Sequence, residues 1–79
     1  MEQEIYALPP DRYVLRVLGG RLKVLRKQRN LTQAQLAEQL GVEHPWVSKV
    51  ESGNLSPSPG RLRALCVVLN VDPSVLLML

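Results

Sequence analysis

The sequence contains little of what several classes of protein require. It has one cysteine, Cys66, and one histidine, His44, and it has no phenylalanine. A single cysteine excludes an intrachain disulfide, and one histidine with one cysteine does not supply the ligand cluster of a metal site. The longest apolar run, 64–69, is much shorter than the roughly 20 residues of a membrane-spanning helix. The first residues, 1–4, lack the basic and apolar regions of a signal peptide. We therefore expect a cytoplasmic protein without metal, cofactor or membrane association.

Acidic residues are absent from one long segment. Residues 12–37 contain no Asp or Glu, although the whole chain has 7 acidic residues against 10 Lys and Arg. The basic residues in that segment are Arg12, Arg16, Arg21, Lys23, Arg26, Lys27 and Arg29. Clustered positive charge predicts an anionic partner, with nucleic acid first and an anionic membrane surface second. A solvated basic helix face is the alternative.

The length and the hydrophobic periodicity predict one small helical domain, 1–79. We expect residues 17–79 to form its core and residues 1–16 to be an N-terminal extension or an extension of the first helix. The first helix is predicted over 11–29, with Asp11 as its N-cap. The pair Gly19–Gly20 weakens its middle, which leaves open whether this stretch forms one helix or two.

Later helices have clear start and stop signals. Thr32 and Gln35 form a T-x-x-Q capping box at the start of the second helix, and Gly41 ends it. The third helix is predicted over 44–52, where a proline in the first turn is tolerated. Ser58 is the predicted N-cap of the fourth helix, whose apolar stripe includes Cys66, and Asp72 is the predicted N-cap of a short fifth helix. The expected fold is all-α, with five short helices.

The second and third helices, over 32–52, are joined by a turn so short that they must cross steeply, as in a helix-turn-helix. The segment 25–58 has the sequence LRKQRNLTQAQLAEQLGVEHPWVSKVESGNLSPS. It resembles the Cro and phage-repressor (XRE-like) helix-turn-helix transcription regulators, and weaker agreement continues through the fourth and fifth helices. The resemblance implies a compact five-helix DNA-binding domain with its helix-turn-helix formed by helices 2 and 3.

The resemblance also implies that the third helix lies in the major groove of DNA. The family's base-contacting positions fall on His44, Pro45 and Lys49, with Glu43 and Ser48 nearby. Lysine can donate hydrogen bonds to guanine O6 and N7, whereas proline offers only an apolar contact, such as one with a thymine methyl group.

Contacts with the DNA backbone are expected from a second group of residues. Gln33 matches the family's phosphate-anchoring glutamine at a helix N-terminus, and Trp46 lies where relatives place a residue beside the backbone. The loop after Gly53 has no Lys or Arg, in contrast to many relatives. We therefore expect phosphate contacts to shift to Ser52, Asn54 and the basic first helix.

Glu51 needs a cation for a reason that is independent of any resemblance. It lies at the C-terminal end of the third helix, where the helix dipole disfavours negative charge. Arg26 on the first helix is the best partner, and the resemblance implies the same ion pair. A direct phosphate contact is the alternative role for Arg26.

Two functions remain open, and neither is enzymatic, because the residues offer no nucleophile–base pair and no phosphate-binding loop. The first is a sequence-specific double-stranded DNA-binding regulator, a repressor acting as a homodimer on a pseudo-palindromic operator. The second is an antitoxin-like protein that neutralises a partner protein and regulates itself through its helix-turn-helix. Spare apolar residues in the N-terminal segment, 5–15, and in the C-terminal helix, 75–79, are the candidate association surfaces.

Overall fold

The computed structural model describes residues 12–77, apart from the side chain of Leu77. Over this range the chain forms five α-helices and no strand. They are α1 (Arg12–Gln28), α2 (Gln33–Leu40), α3 (His44–Glu51), α4 (Pro59–Leu69) and α5 (Pro73–Leu77). The predicted all-α, five-helix fold is confirmed. The predicted cap Asp11, the apolar residues 5–10 and the last residues, 78–79, lie outside the described range.

Local capping sets the ends of the helices as the sequence predicts. The Thr32 hydroxyl accepts a hydrogen bond from the Gln35 amide at 3.0 Å, and Gln35 Oε1 accepts one from the Thr32 amide at 2.8 Å. Gly41 ends α2 with a φ of 70°. Glycine adopts this left-handed conformation at a lower cost than residues with a side chain do. Both ends of α2 are therefore set by local sequence signals.

The C-terminal helices begin with side-chain caps of the same kind. The Ser58 hydroxyl accepts from the Arg61 amide at 3.2 Å, and the Asp72 carboxylate accepts from the Ser74 amide at 2.9 Å. The hydrogen bond from Ser74 is also the main cause that lowers the pKa of Asp72 below its usual value. Both predicted caps are confirmed.

The core is a layer of aliphatic side chains from all five helices. The fully buried side chains are Leu22, Leu36, Leu65, Leu69, Leu76, Val47 and Val50. Cys66 is buried beside them, and its burial, followed by the nearby Asp72 charge, raises the pKa of its thiol. A thiol in such surroundings is a structural residue rather than a reactive one.

The backbones of α1 and α3 approach each other closely at Gly19. A Cβ atom added there would collide with the Val50 carbonyl oxygen and would lie 2.5 Å from that of Glu51. At Gly20, by contrast, no atom would lie within 4 Å of an added Cβ. The helix α1 is continuous through both glycines, and the lack of a side chain at Gly19 leaves room for the α3 backbone. This settles the question of one helix or two.

Two arginines donate hydrogen bonds to the C-terminal ends of other helices. Arg29 Nε donates to the Leu69 carbonyl of α4 at 2.6 Å, and Arg61 Nη1 donates to the Leu40 carbonyl of α2 at 3.3 Å. The last carbonyls of a helix have no partners within it, and the helix dipole favours a cation there. Each guanidinium therefore supplies a hydrogen bond and a positive charge to the C-terminal end of the helix that it caps.

Candidate nucleic-acid interface

The outer surface of α3 is polar and accessible. Val47 and Val50 point into the core with 0% and 1% exposure. The side chains predicted to contact bases lie on the opposite side of the helix, and all are exposed: Glu43, His44, Pro45, Ser48 and Lys49. We call this group the α3 face. Glu43 is the N-cap residue of α3 but makes no side-chain capping bond.

Trp46 lies at the edge of the α3 face rather than on it. Its side chain is half-buried and packs against the core. The predicted contact with the DNA backbone would use its exposed portion. Tryptophan combines a large apolar body with one N–H donor, so the two roles do not exclude each other.

The pair predicted between Arg26 and Glu51 is in contact in the structure. Arg26 Nε and Nη2 donate to the two carboxylate oxygens of Glu51 at 2.6 and 3.2 Å, and the side chains are only 8% and 4% exposed. Arg26 Nη1 also donates to the Leu31 carbonyl at 2.6 Å. A direct phosphate contact by Arg26 would require its guanidinium to leave these partners. Its position thus favours the structural role.

The ion pair continues outward through two further side chains to the α3 face. Gln33 Nε2 donates to Glu51 Oε1 at 3.0 Å, and Gln33 Oε1 lies 3.1 Å from His44 Nε2. We call Arg26, Glu51, Gln33 and His44 the polar chain. All four residues are candidates from the sequence alone, but no sequence pattern predicts that Gln33 joins the buried ion pair to the α3 face.

A second set of hydrogen bonds holds the loop that follows α3. Arg12 Nη2 donates to Asn54 Oδ1 at 2.8 Å, and Asn54 Nδ2 donates to the Ser52 hydroxyl at 2.9 Å. That hydroxyl in turn donates to the Lys49 carbonyl at 3.1 Å. A predicted pair of backbone-contacting residues, Ser52 and Asn54, thus lies beside an exposed arginine.

Arg12 was not among the site residues predicted from the sequence. Its neighbour in the fold, Asn54, is 42 positions away in the chain, so no local pattern joins them. Two features of the sequence favoured a role for a cation of α1. Residues 12–37 contain no acidic residues, and the loop after Gly53 contains no basic ones. The structure brings the N-terminal end of α1 to that loop.

The described part of the chain has neither a metal cluster nor a membrane-spanning helix. Among residues 12–77, no three His, Cys, Asp or Glu side chains lie together as metal ligands would. No helix in the same range is long and apolar enough to cross a bilayer.

Two short helices joined by a tight turn, the second with an exposed polar face, define a helix-turn-helix DNA-binding domain. Residues 17–77 match the family model described as a helix-turn-helix domain. The chain belongs to this family, and it is a DNA-binding transcription regulator of the XRE/Cro type. Since this is a class of regulators, the prediction that the chain is not an enzyme is confirmed.

Similar proteins come from phages and from bacteria. The chain is 34% identical over 61 residues to the ImmF control region 10 kDa protein of Bacillus phage phi105. The aligned residues cover 77% of the chain and 68% of that protein. It is 34% identical over 59 residues to the immunity repressor protein of the same phage, over 75% of the chain but only 41% of the repressor. The restriction-modification controller protein C.AhdI from Aeromonas hydrophila has a similar solved structure. Its TM-score is 0.75 at 32% identity, over 78% of this chain and 94% of C.AhdI.

Proposed function

We propose that the protein is a repressor that binds a pseudo-palindromic duplex operator as a homodimer, with α3 in the major groove. The observation that carries the proposal is the α3 face, which presents five exposed polar or small side chains next to the N-terminus of α2. An α-helix fits the major groove, and the first turn of a second helix offers unpaired amides to phosphate. The immunity repressor and controller names among similar proteins support the same function.

Within the α3 face, Lys49 is the residue we expect to contribute most to base recognition. It is exposed, and its ammonium group can donate to guanine O6 and N7. Pro45 and Ser48 would contribute an apolar contact and a hydroxyl. Glu43 would accept from a cytosine amino group, at the cost of repulsion from nearby phosphates.

Backbone contacts are proposed on both sides of this face. On one side, Gln33 keeps a second amide hydrogen for phosphate, because only one is used by Glu51. On the other side, Arg12, Ser52 and Asn54 form a polar ridge at the loop after α3. The cation that relatives place in this loop is supplied here by α1.

The homodimer needs an apolar surface away from α3, and a groove between α1 and α5 offers one. Its volume is about 430 Å³, and its lining includes Val17, Val24, Leu25 and Val75. Val24 and Val75 are 56% and 44% exposed, although both are aliphatic. In a dimer that binds two half-sites, the two copies of α3 would lie about one helical turn of DNA apart, roughly 10 base pairs.

The proposal is tested by selection from a random duplex library at about 150 mM salt, followed by sequencing of the retained DNA. We expect a two-fold symmetric site for the wild type, and its weakening by about tenfold or more in Lys49→Ala. The matched control, Arg63→Ala, removes one positive charge from the exposed side of α4 and should keep the site. Retention without sequence preference, unchanged in Lys49→Ala, would refute the proposal.

The antitoxin-like alternative uses the same α1–α5 groove for a different protein. Sedimentation of the purified chain separates the two, because the dimer proposal requires self-association that Val75→Lys disrupts. Val67→Lys is the control, since Val67 is 71% exposed on α4 and does not line the groove. A chain that stays monomeric at operator-binding concentrations would favour the alternative. The cytoplasmic location stays a prediction.

A further inference from the structure

The buried ion pair fixes the orientation of the Gln33 amide. Arginine remains protonated in proteins, so Glu51, which accepts two bonds from Arg26, is present as a carboxylate and can only accept hydrogen bonds. The Gln33 atom that lies 3.0 Å from Glu51 Oε1 must therefore be its nitrogen. Amide orientation is assigned from hydrogen-bond partners, and here a charged partner decides it.

The oriented amide in turn fixes the position of a proton on His44. The Gln33 oxygen lies 3.1 Å from His44 Nε2, and an amide oxygen only accepts. His44 Nε2 must then carry a hydrogen. A neutral imidazole has a single N–H, so Nδ1 is left as an acceptor. No hydrogen bond to Nδ1 is formed within the described range, 12–77, and the residue is exposed on the α3 face.

From this arrangement we propose that His44 recognises an exocyclic amino group in the major groove, adenine N6 or cytosine N4, through its Nδ1 acceptor. The inference rests on the proposed function, since it requires α3 to lie in that groove. Guanine O6, thymine O4 and the purine N7 atoms are acceptors themselves. An imidazole whose Nδ1 is an acceptor disfavours these atoms. The polar chain, which runs from Arg26 through Glu51 and Gln33 to His44, would thus select bases with an amino group.

The proton position is tested first, without DNA. His44 is the only histidine, so a long-range ¹H–¹⁵N spectrum of the full chain at pH 8 contains one imidazole. We expect a protonated Nε2 whose hydrogen exchanges slowly with water, and a bare Nδ1. In Gln33→Leu, the hydrogen should exchange at the rate of an imidazole in water. Protonation at Nδ1 in the wild type, or an exchange rate unchanged in Gln33→Leu, would overturn the inference.

The base contact is tested with modified operators. At the base pair whose preference is lost in His44→Ala, the amino group is removed by replacing adenine with purine, or cytosine with 2-pyrimidinone. We expect wild-type affinity to fall about tenfold, with no change for His44→Ala. Replacement of purine N7 by carbon should leave wild-type affinity unchanged. The reverse pattern, with loss only on removal of N7, would show that His44 donates and would overturn the inference.

The two failures are distinguishable. If no operator is selected at all, the proposed function fails and the base contact fails with it, while the imidazole spectrum still decides the proton position. If an operator is selected and weakened by Lys49→Ala, but amino-group removal has no effect, only the inference about His44 fails. Circular dichroism of Gln33→Leu and His44→Ala checks that both variants remain folded.

Discussion

Replacing Glu51 with glutamine removes the charge of an almost completely buried carboxylate while keeping its shape. Arg26 would then keep its positive charge, with 8% of its side chain exposed and its 2.6 and 3.2 Å bonds directed at a neutral amide. The amide nitrogen of the new glutamine would also face a donor, either the guanidinium or Gln33. We expect a large loss of stability from this one-atom change.

The magnitude follows from the burial of the pair. Removal of one partner from a buried ion pair costs about 3–5 kcal/mol, because the other charge stays desolvated and unpaired. The lower value, about 3 kcal/mol, applies here, since one acceptor oxygen and the Leu31 carbonyl still contact Arg26. For a domain of this size, about 3 kcal/mol corresponds to a melting temperature lower by roughly 12–24 °C.

Urea unfolding followed by circular dichroism measures this loss for the full chain. Glu38→Gln is the matched control, because Glu38 is exposed on α2 and its replacement should change the free energy of unfolding by less than about 0.5 kcal/mol. The double variant Arg26→Met, Glu51→Leu should lose less than the sum of its single changes. If Glu51→Gln cost no more than Glu38→Gln, the reasoning about the buried pair would be refuted.

Three further predictions concern packing, DNA binding and pH. Gly19→Ala should lower the free energy of unfolding by about 2–3 kcal/mol through collision with α3, whereas Gly20→Ala should raise it by about 0.5–1 kcal/mol. Equal effects in urea unfolding would contradict the close approach. Arg12→Gln should reduce the slope of log affinity against log salt by about 1, and Arg63→Gln should not; equal slopes would remove Arg12 from the interface. The folded state raises the pKa of the Cys66 thiol. The contribution of this thiol to the free energy of unfolding should therefore be fully present below its ordinary pKa and should be lost as pH rises through the raised pKa. Iodoacetamide should likewise modify folded Cys66 far more slowly than a free thiol between pH 7 and 9, and equal rates would contradict its burial.

Helix ends and fold class were predictable because their signals are local. The Thr32–Gln35 box, Gly41 and Ser58 each act within four residues, and the sequence places them at the observed boundaries. The continuity of α1 was not predictable in this way. Glycine propensity disfavours a helix at Gly19, and the reason for a glycine at this position, its close approach to α3, is a contact between separate helices.

In the candidate site, too, features with local signals were predictable, and contacts between separate helices were not. The exposure of Lys49 and the pairing of Arg26 with Glu51 follow from helix periodicity and the helix dipole. The contacts between Gln33 and His44, and between Arg12 and Asn54, depend on how separate helices are placed in space. Periodicity gives the side of a helix on which a residue lies, but not the atom that it meets.

The arginine caps of α2 and α4 affect the electric field that an approaching DNA molecule meets. Arg29 and Arg61 each have a guanidinium directed at the carbonyl end of a helix, where the dipole carries partial negative charge. Arg26 is neutralised by Glu51 as well. The ion pair with Glu51 therefore removes the Arg26 charge from the field at the surface, whereas Arg29 and Arg61 stay exposed and are offset only by the partial charge of a helix end. Long-range attraction of DNA would come from the exposed cations, which include Lys49 and Arg63. Lysine at the capping positions would keep the total charge, but its flexible ammonium group would lack the fixed donor direction of the planar guanidinium that contacts each carbonyl.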